Sequence, residues 1–247
     1  MRLVLVGPTD SGKTTLAWAL ARRTAEKRGR AYLLDLDVGQ GSLPGTVARF
    51  RLEGEEVLEE ERLLVGRVSP VGAEGWLLAA SARLARGARG PFVADTDGFA
   101  KGPRAERLRY QQVEALGAGE VAVLDGALMA AFAWREDLRV RRVPPPPGVR
   151  EKTPAERLFR RTARLLAHFR GARFRALPRP PGDPRYLFAL LDGRGRFLGY
   201  AALVVERGER GLFWTPVADR VTRVVPTWVR VPGVLIPDPA TASSGAG

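Results

Sequence analysis

The sequence predicts an α/β fold: a parallel sheet with helices on both faces, followed by a lid helix and a small C-terminal β module. Short apolar runs alternate with helix-like segments through the first half of the chain. These runs are continuous rather than alternating, as expected of strands that are buried on both faces. A proline-rich segment then separates this half from an arginine-rich helix and a strand-rich remainder.

The strands are predicted from apolar runs that are bounded by turn residues. The first run, RLVLV, ends at a glycine, and the second, AYLLDLD, closes in carboxylates. Residues 49–65 are expected to form a small hairpin and then a strand. Outside this segment, strands are expected at residues 2–6, 31–37, 91–98 and 120–126.

Helices are predicted between these strands. Thr14 to Arg28 has apolar residues at helical spacing and ends before Gly29. Two more helices are expected at Val71–Arg86 and Ala105–Leu116. Since sheets of this kind bind ligands at the carboxyl ends of their strands, the polar clusters that follow the strands are expected to face one crevice. These clusters are residues 7–14, 35–40 and 95–98.

Two proline-rich linkers organise the C-terminal part. Pro144–Pro147 is expected to act as a stiff spacer, and a second linker spans residues 177–184. Between them, TPAE at residues 153–156 is a helix start with a threonine cap, a proline at the first position and a glutamate at the third. The predicted domains are a core at 1–147, a lid helix segment at 148–176, a β module at 177–235 and a disordered tail at 236–247.

The composition limits the chemistry and suggests the partner. The chain has 247 residues, a net charge of +13 and no cysteine, so disulfides and thiolate catalysis are excluded. The basic residues are mostly arginine, which favours a polyanionic partner, although a GC-rich genome or a hot habitat would also enrich arginine. No apolar run is long enough to span a membrane, and the first residues do not resemble a signal peptide, so we expect a cytoplasmic protein.

The segment GPTDSGKT, at residues 7–14, matches the phosphate-loop pattern G-x-x-x-x-G-K-[ST]. A strand before it and a helix after it are the context that the motif requires, so the sheet is predicted to be of the P-loop NTPase type. Lys13 is expected to reach the β- and γ-phosphates of ATP or GTP, and Thr14 to coordinate Mg²⁺. The expected nucleotide-binding residues are Gly7, Thr9, Asp10, Ser11, Gly12, Lys13, Thr14 and Thr15.

A pair of carboxylates closes the second predicted strand. Asp35 and Asp37 are two residues apart, so on an extended strand they share one face. One of them would hold or orient the magnesium shell, and the other would accept the proton of an attacking hydroxyl. A strand-end turn with solvated aspartates is the alternative. Magnesium is the expected metal because the chain has a single histidine, His168, and no cysteine.

Several segments, taken in order, resemble the polynucleotide 5′-hydroxyl kinase family, whose members include the RNA kinases of pre-mRNA cleavage and ribosomal RNA processing. DLDVGQGSLPGTV is similar to the family's D-x-D-x-G-Q…PGT signature, and a TDG segment and an arginine-rich helix follow in the family's order. The P-loop alone is unspecific, whereas the combination is specific. The matching segments are residues 35–47, 65–70, 95–116, 149–171 and 189–204.

The resemblance implies roles for individual residues. Asp37 matches the general base that acts on the 5′-hydroxyl, and Asp35 matches a neighbouring polar position that we also expect to contact the metal, together with Thr14. Phe99 stands where the family's clasp usually has tryptophan, which implies an altered base preference. The implied acceptor-binding residues are Asp35, Gln40, Thr96, Asp97, Gly98 and Phe99. The implied catalytic residues are Asp37, Lys13, Arg157 and Arg161, with the register of the two arginines loose because Arg150, Arg160 and Arg164 lie nearby.

The function implied is transfer of the γ-phosphate of ATP or GTP to the 5′-OH end of RNA or DNA, with Mg²⁺. Two alternatives stay open: a small-molecule kinase of the nucleoside type, and a non-catalytic nucleotide-bound adaptor. No particular protein partner is predicted. Among single residues, His168 is expected to have a packing or surface role, and Arg109 to face the polymer or solvent. Four tryptophans are expected in the core: Trp18, Trp134, Trp214 and Trp228. Trp76 is also assigned to the core, with a place facing the acceptor groove as the alternative.

Overall fold

The computed structural model describes residues 1–124, 126–233 and 235. A first sheet has the strand order β4-β3-β2-β5-β1-β6-β7. Its strands are β1 (Arg2–Val6), β2 (Ala31–Leu36), β3 (Thr46–Glu53), β4 (Glu56–Leu64), β5 (Phe92–Thr96), β6 (Glu120–Val123) and β7 (Arg139–Arg142). The four α-helices of the described chain are α1 (Lys13–Arg28), α2 (Glu74–Gly87), α3 (Pro103–Leu116) and α4 (Pro154–His168), and a short 3₁₀ helix lies at Gly126–Met129.

The first sheet is largely parallel. Strands β2, β5, β1 and β6 run parallel, as predicted, and β7 continues the parallel part beside β6. Residues 46–64 instead form the antiparallel pair β3–β4, which extends the sheet beyond β2. Strand β7 was not predicted, because its sequence RVRR contains one apolar residue and most of it is exposed. Parallel β7 therefore gains its place from pairing with β6 rather than from an apolar pattern.

Helices cover both faces of this sheet, as predicted. Strand residues alternate between the two faces, so Leu3 and Leu5 contact one layer while Val4 and Val6 contact the other. The alanine side of α1 packs on the first face, and α2 and α3 pack together on the second. In the described part of the chain, no helix combines the length and the apolar character that crossing a bilayer requires.

A second, antiparallel sheet forms the C-terminal β module, with strand order β12-β9-β10-β11-β8. It begins at Arg173, inside the segment that the sequence assigns to the lid. The strands are β8 (Arg173–Pro178), β9 (Tyr186–Leu191), β10 (Phe197–Arg207), β11 (Arg210–Thr215) and β12 (Arg223–Arg230). The predicted disordered tail, residues 236–247, lies outside the described residues.

Helix α4 crosses between the two sheets and begins where the sequence predicts. The Thr153 hydroxyl accepts a hydrogen bond from the Glu156 N–H, and the Glu156 carboxylate accepts one from the Thr153 N–H, which forms a capping box. At the other end, Leu165 and Phe169 are buried with Tyr200 of the second sheet. The helix is thus anchored to the β module by its C-terminal end.

His168 packs inside this anchor. The Tyr200 N–H donates to His168 Nε2 at 3.0 Å, so this ring nitrogen is unprotonated. Burial lowers the pKa of His168 to about 4, and the nearby Arg62 charge acts in the same direction. The predicted packing role is therefore confirmed.

The tryptophan prediction was wrong at three positions. Trp18 and Trp214 pack against the cores. Trp76, Trp134 and Trp228 instead expose 71%, 64% and 56% of their surfaces. Trp76 lies in the first turn of α2 and Trp228 on the edge strand β12, positions whose outward direction only the assembled fold determines.

Candidate active site

The P-loop joins β1 to α1 and leaves its donors free for an anion. Gly12 has φ +84°, a left-handed conformation that glycine adopts without strain. Helix α1 starts at Lys13 without a side-chain cap. Its first N–H groups therefore remain available at the positive end of the helix, which suits a phosphate.

Lys13 is folded back over the loop. Its Nζ donates to the Pro8 carbonyl at 2.6 Å, and Nζ lies 3.4 Å from Ser11 Oγ. Burial lowers the pKa of Lys13, while the Asp95 and Asp37 carboxylates oppose that shift. The ammonium group thus lies among strand-end carboxylates at the base of the P-loop.

Asp35 has a structural task in the loop that follows β2. One of its oxygens accepts the N–H of Asp37 at 3.3 Å, and the other accepts the N–H of Ser42 at 2.6 Å. Asp35 lines neither of the two cavities described below. The structure therefore shows its carboxylate holding the loop that carries Asp37.

Asp37 begins that loop, and among the described residues one of its two oxygens accepts hydrogen bonds. Oδ1 accepts the N–H groups of Gly39 and Gln40 at 2.9 and 2.8 Å. Burial raises the pKa of Asp37 to about 6, with the Asp97 charge acting in the same direction and the two N–H donors opposing it. Oδ2 accepts no hydrogen bond from the described residues. The carboxylate is thus held in place with one oxygen available.

Asp95, at the end of β5, belongs to the polar cluster 95–98 that the sequence predicts at the crevice, but the sequence interpretation gave it no individual role. It lies beside Asp35 in the parallel register of β2 and β5. Burial raises its pKa; a hydrogen bond with Thr14 opposes the shift, and the charges of Asp35 and Asp37 add to it. Its Oδ1 is buried without a hydrogen-bond partner among the described residues. The strand-end carboxylate in PFVADTDG was the available signal.

Thr14 and Asp95 fit a Mg²⁺ site better than Thr14 and Asp35 do. The Thr14 hydroxyl lies close enough to the buried Asp95 carboxyl to oppose the rise in its pKa, and Asp95 Oδ1 has no partner among the described residues. Within the described residues, no three acidic or histidine side chains converge as a complete metal site. That is compatible with Mg²⁺, which usually takes one or two protein ligands and completes its shell with phosphates and water.

The loop after β5 is fixed by a buried arginine. Asp97 forms an ion pair with Arg109 and accepts the Phe99 N–H at 2.8 Å. Arg109 also donates to the Phe99 carbonyl at 3.1 Å, and its side chain has 0% exposure. The expectation that Arg109 faces the polymer or solvent was wrong. Thr96 is also buried, where its hydroxyl donates to the Leu5 carbonyl at 2.7 Å.

Two neighbouring cavities open at this edge of the sheet. The larger, of about 540 Å³, is lined by Phe99, Val68, Ser69 and Pro70 among others. The smaller, of about 180 Å³, is lined by the P-loop from Thr9 to Thr15. The residues that line both cavities are Thr9, Asp37, Gln40 and Gly98.

Gly98 brings the two loops into direct contact. A Cβ added at Gly98 would lie 2.0 Å from Thr9 Oγ1 and 2.5 Å from Thr9 Cα, so residue 98 has no room for a side chain. The loop after β5 therefore rests on the backbone of the P-loop. The larger and the smaller cavity adjoin across this contact.

The arginines of α4 cover both cavities. Arg157 and Arg161 line the larger cavity, whereas Arg160 and Arg164 line the smaller one. Arg161 Nε donates to the Gly39 carbonyl at 3.3 Å, and Arg164 donates to the Gln40 carbonyl. The Gln40 amide in turn donates to the Arg157 carbonyl at 3.3 Å. The lid is therefore closed onto the loop of Asp37.

The lid also contacts the P-loop through Asp10. The Asp10 carboxylate accepts Arg157 Nη1 at 2.7 Å and the Lys152 N–H at 2.9 Å, and it forms an ion pair with Lys152 Nζ. These contacts lower the pKa of Asp10 despite its partial desolvation. Asp10, expected to bind nucleotide, is thus the P-loop's connection to the lid.

Residues 7–171 match the sequence model of a protein family, the mRNA cleavage and polyadenylation factor CLP1 P-loop. The chain belongs to this family. Curated relatives include polyribonucleotide 5′-hydroxyl-kinase Clp1 of Xenopus tropicalis, which is 41% identical over 61 residues, 24% of this chain and 14% of that protein. The resemblance inferred from the motifs is therefore confirmed.

The matches to full-length relatives are partial. A CLP1 homologue of Anopheles gambiae is 26% identical over 199 residues, which are 71% of this chain and 47% of that protein. A CLP1 homologue of Arabidopsis thaliana is 48% identical over 54 residues, which are 21% of this chain and 12% of that protein. The chain thus spans about half or less of these relatives.

Solved structures of the family share the fold. The Clp1p subunit of a Clp1p–Pcf11p complex superimposes with a TM-score of 0.75 at 13% identity, covering 93% of this chain and 74% of that one. At this identity the likeness concerns the fold, including the parallel sheet and the separate antiparallel sheet. The predicted fold class is confirmed.

Proposed function

We propose that the chain is a polynucleotide 5′-hydroxyl kinase that phosphorylates the 5′-OH end of RNA or DNA with a nucleoside triphosphate. In the reaction, a bond forms between the 5′ oxygen and the γ-phosphorus while the bond from that phosphorus to the β-bridging oxygen breaks. The proton of the hydroxyl passes to Asp37, and the nucleoside diphosphate leaves. Family membership and the names of the kinase relatives support this activity.

The position of Asp37 carries the proposal. Its carboxylate lines both cavities, so it can contact a hydroxyl in the larger one while phosphates occupy the smaller one. Two backbone N–H groups fix Oδ1 and leave Oδ2 to accept the proton. A pKa of about 6 keeps this carboxylate largely ionised near neutral pH and still basic enough to act.

The smaller cavity suits the triphosphate. The uncapped start of α1 and the backbone of the P-loop offer N–H donors, and Lys13 lies among the same residues. Thr14 and Asp95 would hold Mg²⁺, which neutralises phosphate charge when it is bound. ATP is the donor that we favour, since a second solved Clp1p–Pcf11p complex is described as explaining ATP loss in a point mutant.

The lid arginines would stabilise the charge of the transferred group. Arg161 and Arg164 are held over the Asp37 loop by the carbonyls of Gly39 and Gln40. A guanidinium stays protonated and binds phosphate oxygens in a planar fork. Arg161 lines the acceptor side and Arg164 the donor side, so together they span the path of the phosphoryl group.

The larger cavity suits the end of a polymer. Phe99 lines it and offers a ring on which a base can stack, and Lys101 adds a cation for the backbone. The net charge of +13 favours a polyanion over an uncharged nucleoside.

The test is transfer of label from γ-labelled ATP to a short 5′-OH RNA and to its DNA equivalent, with Mg²⁺. Asp37→Asn is the decisive variant, because asparagine keeps an oxygen for the Gly39 and Gln40 N–H groups but is not a base. We expect its rate to fall by roughly 10²- to 10⁴-fold. Glu55→Gln, an exposed change in the turn between β3 and β4, is the matched control.

Other outcomes would select between the alternatives. Label passed equally well to a free nucleoside would replace the polymer kinase with a small-molecule kinase. Tight nucleotide binding without any transfer would favour an adaptor, a role compatible with the fold because a structural relative was solved bound to Pcf11p. Either result would overturn the proposed function.

A further inference from the structure

We infer that Trp228 and Arg67 form a second contact for the acceptor strand, at which a base 3′ of the phosphorylated nucleotide stacks. The inference rests on the proposed function and gives the C-terminal β module a direct role in binding. We refer to these two residues as the Trp228 platform.

Trp228 faces outward from an edge strand. Its neighbours Thr227 and Val229 are buried, and the alternation of β12 therefore points the indole to the opposite side. With 56% of its surface exposed, the ring offers a face to solvent. Strand β12 is the first in its sheet, so no further strand covers it.

Arg67 adds an uncompensated positive charge. Its guanidinium carbon lies 4.2 Å from the centroid of the Trp228 ring. Among the residues that the structure describes, no carboxylate forms an ion pair with Arg67. An arginine beside an exposed ring can contact a phosphate while the ring stacks on a base, the pairing that single-strand binding surfaces use.

The platform is continuous with the wall of the acceptor cavity. The Trp228 N–H donates to the Gly66 carbonyl at 2.8 Å, which ties β12 to the start of the 66–70 segment. The next residues of that segment, Val68, Ser69 and Pro70, line the larger cavity. A strand leaving this cavity over the 66–70 segment would therefore meet the indole.

Arg67 points along the same rim. Its Nη1 lies 3.7 Å from the position that a Cβ on Gly72 would occupy, so the guanidinium extends from Trp228 towards the loop after Pro70. The positive charge thus lies between the indole and the loop that borders the cavity. This is the direction in which the phosphate of a bound strand would run.

Trp134 is an exposed tryptophan that lacks both the uncompensated arginine and the place beside the acceptor cavity. Its ring stacks on Tyr110 with centroids 5.4 Å apart, and Arg135 lies nearby. Arg135, however, forms ion pairs with Glu114 and Asp137, so its charge is compensated. Trp134 lines neither the larger nor the smaller cavity. It is therefore a matched control with a similar exposure.

The experiment compares Trp228→Ala with Trp134→Ala on two acceptors, a nucleoside 3′-monophosphate and a ten-residue 5′-OH oligonucleotide. We expect Trp228→Ala to raise KM for the oligonucleotide roughly 10-fold, the effect of losing one stacked base, with kcat unchanged. KM for the short acceptor should stay the same. Trp228→Phe should keep KM for the oligonucleotide close to the wild-type value. Trp134→Ala should change neither acceptor's KM.

Two results would overturn the platform. One is an oligonucleotide KM that Trp228→Ala leaves unchanged; the other is an equal loss with both acceptors, which would indicate damage to the site itself. If the wild-type protein phosphorylates neither acceptor, the proposed function fails separately. Fluorescence anisotropy with the labelled oligonucleotide then decides the platform, which requires weaker binding by Trp228→Ala than by Trp134→Ala.

Discussion

The strand-end edge of the first sheet and the lid helix α4 hold their charged groups in different ways. At the edge, Asp37 and Asp97 are fixed by backbone N–H groups on loops that leave fully buried strands. In α4, Leu165 is the buried residue among those described, and the arginines reach the core through side-chain contacts. The edge is therefore a fixed frame, and the lid is a separate element closed onto it.

The two ends of the lid differ as well. Its C-terminal end is anchored by the apolar contacts of Leu165 and Phe169 with the β module. Its N-terminal end is held by Asp10, through Lys152 and Arg157. Salt screens ion pairs but does not screen apolar contacts, so we expect the N-terminal end of α4 to open more readily than the C-terminal end.

Disrupting the loops at the carboxyl ends of the strands should have the largest effect on stability. Arg109→Met leaves the Asp97 carboxylate buried and unpaired, which typically costs about 3–5 kcal/mol of unfolding free energy. Chemical denaturation of the variant and the wild type measures this difference. The double variant Arg109→Met/Asp97→Asn should recover part of the loss. A loss below about 1 kcal/mol would show that Arg109 does not hold the loop after β5.

Breaking the lid should instead affect rate without affecting stability. Arg161→Ala removes a cation beside the Asp37 loop, and we expect kcat to fall roughly 10³-fold. The unfolding transition should stay within about 0.5 kcal/mol of the wild type. Arg170→Ala, an exposed change just past α4, should have neither effect. Comparable losses from both variants would mean that net charge, rather than the position of Arg161, matters.

The apolar anchor should weaken in acid through His168. The pKa of His168 in the folded protein, about 4, lies below the ordinary 6.5. The contribution of the neutral imidazole to the free energy of unfolding is therefore complete above pH 6.5 and is lost as the pH falls towards 4. A pKa shift of this size corresponds to about 3 kcal/mol of unfolding free energy. The charged groups around the ring are Arg62, Glu59 and Arg164.

The measurement is unfolding free energy between pH 7 and pH 4, compared with His168→Gln. Glutamine does not titrate and keeps an acceptor for the Tyr200 N–H, so its profile should be flatter by the His168 contribution. Carboxylates contribute to both profiles and cancel in the difference. Parallel profiles would contradict the assignment of a buried neutral imidazole.

The smallest effect should come from the ion-paired end of the lid. Asp10→Asn removes the charge that binds Lys152 and Arg157, and we expect amide exchange in the first turn of α4 to become easier by about 1 kcal/mol. Protection around Leu165 should be unchanged. Asp192→Asn, in a turn of the β module, is the control. Loss of protection along the whole helix would show that the lid opens as one unit.

The sequence was sufficient where a local pattern determines the structure. The P-loop, the carboxylates of DLDVGQ, the capping box at Thr153 and the arginine stripe of α4 all depend on near neighbours in the chain. Each was predicted at its place, and their roles in binding and catalysis stay predictions that the variants above test.

The sequence was insufficient where contacts between distant segments determine the position of a residue. Asp95 gains its position beside Asp35 from the parallel register of β2 and β5, which no local pattern contains. Arg109 is buried because the loop after β5 folds over it. Trp228 is exposed because β12 lies at the edge of its sheet. Buried polar contacts and edge positions are properties of the assembled fold.

The contact at Gly98 has a geometric consequence for the proposed reaction. Because Thr9 leaves no room for a Cβ at residue 98, the loop after β5 and the P-loop are held at backbone contact distance. A side chain at this position would have to push the two loops apart, and with them the two cavities that adjoin there. The closeness of the two cavities therefore depends on the absence of a side chain at one position, and not on a charged contact.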